Sequence, residues 1–181
     1  MKRVLLIALL LGISAPLLSY SQDNSNFDYA VIDKQIKQFA ALKIHDTDDL
    51  ERISSDLIQI LMSSDRNDQT RWYLQSAIHS INEIAKIMEH EALLIKIGLN
   101  YVKGDEKLLF YKSILKSRLE QYKQEINSSL EMLMNTSRLV TDGTALNMIT
   151  EAEEISRSTV ESHDRYIELL RSIEMEALPN R

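Results

Sequence analysis

Cysteine is absent from all 181 residues of the chain. The protein therefore has no disulfides, no thiol redox chemistry and no thiolate metal ligands, and packing alone must hold it together. Glycine and proline are almost as scarce, with 4 and 2 occurrences. No segment alternates between apolar and polar residues for long enough to indicate a strand. These absences favour a fold built from long helices.

The signatures of several function classes are also missing. There is no G-x-S-x-G, no glycine-rich phosphate loop, no His-x-x-x-His and no Glu-x-x-His of the kind that di-iron bundles use. The net charge of −6 comes from 21 basic and 27 acidic residues. Such a chain has no electrostatic reason to bind nucleic acid or an anionic membrane. We therefore expect no enzyme, no catalytic residue, no cofactor, no metal site and no nucleic-acid partner.

The N-terminus has the layout of a cleavable signal peptide. Two basic residues at 2–3 precede an apolar stretch over residues 4–18, and small residues follow at Ser19 and Ser21. This pattern predicts cleavage before Gln22. The alternative is an uncleaved membrane anchor, but the apolar stretch of about 15 residues is shorter than the roughly 20 that span a bilayer.

The sequence predicts a signal peptide at residues 1–21, a short polar segment at 22–26 and one helical-bundle domain at 27–178. The mature part of about 160 residues is the size of a single domain. We expect it to be periplasmic or secreted, with no integral membrane span.

Heptad spacing of apolar residues predicts three long helices. The first of these runs from about Asp68 to Lys103, the next continues to about Val140, and the last begins behind Thr144. Gly104 and the Asp142-Gly143 turn make short connections, which require antiparallel neighbours.

The N-terminal part of the domain is less regular. Its apolar pattern lapses at residues 43–46 and resumes behind Thr47, which is a good helix cap. The sequence therefore predicts an all-α, up-down-up-down antiparallel four-helix bundle with long helices, the first of them broken near residues 43–46. The alternative is a three-helix coiled coil with a floppy N-terminal hairpin.

One histidine occupies a core position of the last helix. His163 lies in its apolar seam, two turns or less after Ser156 and Thr159. Counting through the turns places Tyr122 and the break containing His45 at a similar level. His45, Tyr122 and His163 are therefore candidates for a mid-bundle polar layer, either a ligand pocket or a pH-sensitive switch. The alternative is a Tyr122–His163 hydrogen bond that fixes the register, with His45 simply exposed.

No motif specifies an activity. The hypothesis favoured by these observations is an exported, non-enzymatic interaction protein that presents helix faces or bundle ends to a protein partner or to a second copy of itself. Aromatic residues near the bundle ends, Trp72 and Tyr73 among them, either plug those ends or form such a contact surface. The alternative is a small-molecule-binding or sensory periplasmic bundle with a mid-bundle polar pocket.

Overall fold

The computed structural model describes residues 29–63 and 68–176, so the predicted signal peptide and residues 22–26 lie outside the described residues. Helix α1 spans Tyr29–Ser63, α2 spans Asp68–Tyr101 and α3 spans Asp105–Leu109. A π-helical segment, Phe110–Leu115, leads directly into α4, Lys116–Ser137. These three pieces form one long third helix. The last helix, α5, spans Gly143–Glu176.

The predicted all-α four-helix bundle is confirmed. Helix α2 packs against α1 and α4, α4 packs against α5, and α5 returns to α1 to close the bundle. Residues 29–63 and 68–176 contain no strand, and none of their helices is long and apolar enough to cross a membrane. The N-terminus of α5 is capped by Asp142 of the preceding turn, whose carboxylate accepts the Ala145 N–H at 2.8 Å. The last helix therefore begins at Gly143 and not behind Thr144 as the spacing predicted.

The predicted break near residues 43–46 is wrong, because α1 is continuous through that stretch. Lys43 is only 1% exposed and takes the core position that follows Phe39. The Thr47 hydroxyl donates to the Lys43 carbonyl at 2.7 Å, so Thr47 lies within the helix and does not cap its start. Core positions continue to recur at helical spacing through this stretch, but polar residues occupy them.

The irregularity in the bundle lies instead in the third helix. The π-helical segment turns two consecutive side chains, Phe110 and Tyr111, into the core. Phe110 packs directly against Gly98 of α2, where a Cβ atom would come within 2.0 Å of the ring. Glycine at this position lets the ring lie on the α2 backbone.

The apolar core consists of two halves. One half lies at the end of the bundle that holds the α1–α2 and α4–α5 connections, and the other lies at the opposite end. Along every helix the two halves are separated by a stretch that contributes few apolar core residues. The separating stretches are residues 40–49 of α1, 89–93 of α2, 120–125 of α4 and 153–166 of α5.

Candidate functional site

A buried polar layer fills the gap between the two apolar halves. It draws side chains from three helices, and each of them is less than a tenth exposed. Burying so many polar groups is costly unless they are paired with one another, so their partners decide what the layer can do. The members are Lys43 of α1, Glu91 of α2, and Thr159, Ser162 and His163 of α5.

Glu91 and His163 form the centre of the layer. Both side chains are fully buried, and His163 Nε2 lies 3.0 Å from Glu91 Oε1. The contact lacks hydrogen-bond alignment, so the two groups form a close contact and not a hydrogen bond. The other ring nitrogen, Nδ1, lies 2.8 Å from the Thr159 carbonyl oxygen. Because a carbonyl only accepts, Nδ1 must carry a proton.

Lys43 brings a third ionisable group to the layer. Its Nζ donates to Ser162 Oγ at 2.9 Å and to the Thr159 carbonyl at 3.4 Å, and it lies 4.6 Å from the centre of the Phe39 ring. Burial lowers the pKa of Lys43 from 10.5 to about 8, against the attraction of the carboxylates of Glu91 and Asp46. The ammonium is thus held in the core by weak partners.

Asp46 forms the rim of the layer. It is half-buried, and its carboxylate accepts the Thr159 hydroxyl at 3.3 Å. Burial raises the pKa of Asp46, while the positive charge of Lys43 opposes that shift. Thr159 therefore connects the whole layer, since its hydroxyl binds Asp46 and its carbonyl binds both Lys43 and His163.

Tyr122 lies at the edge of the layer. Its side chain is half-buried, and burial raises the pKa of its hydroxyl. The positive charge of Arg118 opposes that rise in pKa, and the charge of Glu91 adds to it. Tyr122 lies within residues 120–125, the stretch of α4 that separates the two core halves at the level of the layer. His163 nevertheless contacts Glu91 and Thr159, so the alternative of a Tyr122–His163 hydrogen bond that fixes the register does not hold.

His45 lies outside the layer. Its side chain is 75% exposed, and its Nδ1 lies 3.2 Å from Asp49 one turn along α1. The structure therefore places His163 at the centre and Tyr122 at the edge, and separates His45 from both. Lys43 and Glu91 were missed, although both occupy core positions in the helical repeat, Lys43 four residues after Phe39 and Glu91 three after Met88.

The layer brings two titratable side chains, those of Glu91 and His163, into contact in the core. Within residues 29–63 and 68–176, no group of three or more His, Asp or Glu side chains is arranged to hold a metal ion. Comparison with protein-family models, curated proteins and solved structures finds no match to this chain.

Proposed function

We propose that the protein is an exported, non-enzymatic interaction protein that binds another protein through an apolar surface on the groove between α2 and α4. The observation that carries this proposal is a set of three large apolar side chains that the bundle leaves exposed there. Trp72 is 62% exposed, Met132 is 51% exposed and Leu139 is 50% exposed. We name these three residues the groove patch.

One contact fixes where α2 and α4 face each other. The hydroxyl oxygens of Ser76 and Thr136 lie 3.4 Å apart. Trp72 comes one turn before Ser76, and Leu139 comes just under one turn after Thr136. Because the two helices are antiparallel, both steps lead towards the same end of the bundle. Trp72 and Leu139 therefore lie at the same level.

Helix geometry also places the groove patch on one side of the groove. Trp72 lies one turn back from Ser76 on α2, and Leu139 lies in the turn that follows α4, where its N–H donates to the Thr136 carbonyl at 3.0 Å and continues the path of the helix. These two steps rotate the side chains of Trp72 and Leu139 towards the same outer surface. Met132, four residues before Thr136, is turned to that surface as well. An apolar surface that spans two helices and includes the only tryptophan of the chain is typical of a protein-binding site.

A small-molecule role is the less well supported alternative. The polar layer is enclosed by packed side chains, so a ligand would have to displace core residues to reach His163 or Glu91. A shallow depression does occur among the described residues, but it lies on the outer face of α1, away from the layer. It is lined by Ala30, Asp33, Lys34, Lys37, Gln38 and Ala41.

Polar replacement of the groove patch tests the proposal. We expect the tagged protein, in extracts of the cells that produce it, to sediment with a mass well above that of one chain. The double variant Trp72→Ser/Leu139→Ser should sediment as a monomer, because its contact surface is lost. Leu93→Ser is the matched control, since Leu93 is also exposed on α2 but about six turns away from Trp72. Identical sedimentation of wild type and double variant would contradict the proposal.

Export is part of the same proposal and is supported by the basic, apolar and small-residue pattern of residues 2–21. We expect the protein recovered from the producing cells to begin at Gln22 and to fractionate outside the cytoplasm. Mass spectrometry of the intact chain measures this directly. A chain that keeps residues 1–21 and sediments with the membranes would instead indicate the uncleaved anchor.

A further inference from the structure

The contact between Glu91 and His163 has a defined proton requirement. Thr159 fixes a proton on Nδ1 of the ring, so the 3.0 Å contact between Nε2 and Glu91 Oε1 is favourable only when either the second ring nitrogen or the carboxylate carries one proton. That proton makes the pair either imidazolium and carboxylate or imidazole and carboxylic acid. In both forms the net charge of the pair is zero.

We propose that Glu91 and His163 form a proton-gated latch, which closes the middle of the bundle when the pair carries one proton and opens the seam between α1 and α5 when the pair gains or loses one. The proton exchanges with solvent, and no other chemistry is involved. The latch is a property of the core and is independent of the groove patch.

The α5 backbone connects the latch to α1. The Thr159 carbonyl accepts a hydrogen bond from His163 Nδ1 and a longer one from Lys43 Nζ. Ser162 Oγ also donates to this carbonyl, and it accepts a hydrogen bond from Lys43 Nζ. A movement of the His163 ring away from Glu91 therefore disturbs the Thr159 carbonyl, which is also an acceptor for Lys43 Nζ. The stretch of α5 from Thr159 to His163 is shared between α1 and α2.

Charged and titratable groups face the latch from all four long helices. Helix α1 provides Lys43 and Asp46, α2 provides Glu91 itself, and α4 provides the Tyr122 hydroxyl at the edge. Helix α5 adds Arg165, whose positive charge acts on Lys43. With one proton in the pair, the Lys43 ammonium is offset by the Asp46 carboxylate, and the layer is close to neutral.

Either change in proton number removes that balance. Loss of the proton sets the Nε2 lone pair against an ionised Glu91 oxygen 3.0 Å away in the core. Gain of a second proton leaves an imidazolium beside the Lys43 ammonium. The pKa of Asp46 is raised, so its carboxylate takes up a proton at a higher pH than an ordinary aspartate does. As the pH falls, the negative charge that offsets the Lys43 ammonium is therefore lost as well. Two buried cations then repel each other.

Nuclear magnetic resonance on the purified protein tests the latch. The experiment follows the ring nitrogens of His163 from pH 4 to pH 9 together with amide protection factors, each corrected for the intrinsic exchange rate at that pH. We expect protection at residues 43–47 and 159–163 to fall on the order of tenfold in the same step in which the His163 ring changes protonation. His45, His79 and His90 are exposed and serve as internal references, because their titration should leave protection unchanged.

Glu91→Gln removes the partner charge with little change of shape, and we expect it to abolish the coupling between ring titration and amide protection. His45→Gln is the matched control, because His45 also contacts a carboxylate but on the surface. The latch is overturned if His163 titrates with no change in protection of either segment, or if the coupling persists in Glu91→Gln. If Glu91→Gln fails to fold, the wild-type protein with its three reference histidines still decides the question.

Discussion

Lys43→Met is expected to raise the free energy of unfolding at pH 7 by about 1–3 kcal/mol, even though it removes a charged side chain with several partners. Burial lowers the pKa of Lys43 to about 8 from 10.5. A shift of that size corresponds to a cost of about 3 kcal/mol for keeping the ammonium in the core. Methionine retains the length of the stem and brings a thioether towards the Phe39 ring, a favourable contact.

The substitution leaves neither of the two acceptors that Lys43 contacts without a donor. The Ser162 hydroxyl, which accepts from Lys43, itself donates to the Thr159 carbonyl at 2.7 Å. The Thr159 carbonyl also lies 2.8 Å from the protonated Nδ1 of His163. Both groups therefore stay satisfied when Nζ is removed, and the usual penalty for breaking one side of a buried pair does not apply.

The pH dependence identifies the cause. Because the pKa of Lys43 is lower in the folded than in the unfolded chain, between pH 8 and pH 10.5 the unfolded chain holds a proton that the folded chain has lost. Wild-type stability should therefore rise with pH in this window through Lys43, and Lys43→Met should lack that rise. The pKa values of Tyr122 and Tyr166 are raised in both proteins, so their effects cancel in the difference.

Urea unfolding of both proteins at several pH values from 7 to 9.5 measures this difference. The control is Lys37→Met, an exposed position on the same helix, which should change the stability by less than about 0.5 kcal/mol. A loss of more than about 1 kcal/mol in Lys43→Met would show that the buried ammonium stabilises the fold. A pH profile parallel to that of the wild type would show that folding does not lower the pKa of Lys43, and would contradict the account as well.

The second large effect concerns the Glu91–His163 pair. We expect His163→Leu to lower the free energy of unfolding by roughly 2–4 kcal/mol, because it leaves the fully buried Glu91 without its neighbour at 3.0 Å. An isolated core histidine would behave differently, since its replacement by leucine would be neutral or stabilising. Addition of Glu91→Leu to His163→Leu should recover at least half of the loss, because it removes the unpaired acid.

A double-mutant cycle measures this coupling. The matched cycle on His45 and Asp49 reports the value for an exposed histidine–carboxylate contact, which should stay below about 0.5 kcal/mol. Additive losses at Glu91 and His163, or a coupling no larger than that of the surface pair, would mean that the 3.0 Å contact contributes nothing to the fold.

Much of the fold could be predicted because heptad spacing depends only on which positions are apolar. That criterion failed where polar residues occupy core positions. Lys43 and Thr47 continue the seam of α1, but their polarity suggested a break, and the break in turn misplaced His45 in the layer. Glu91 was missed for a similar reason. It follows Glu89 and His90, and the three together resemble a solvated helix face.

The π-helical segment left a weaker trace in the sequence. The core positions Tyr111, Leu115 and Leu119 are separated by two consecutive steps of four, where a regular seam alternates steps of three and four. The irregularity coincides with the π-helical residues. His163 was found from sequence because a histidine at a core position needs a partner. The identity of that partner depends on how the helices are rotated about their axes, which spacing alone leaves open.

Site-specific photo-crosslinking in intact producing cells tests the proposed function most directly. A photoreactive aromatic amino acid replaces Trp72 in one version of the protein and Leu93 in another, so both probes lie on exposed positions of α2. We predict a discrete crosslinked product from position 72, whether to a different protein or to a second copy of the chain, and none from position 93. The absence of any product from position 72, or the same products from both positions, would contradict the assignment of the groove patch as a protein-binding surface.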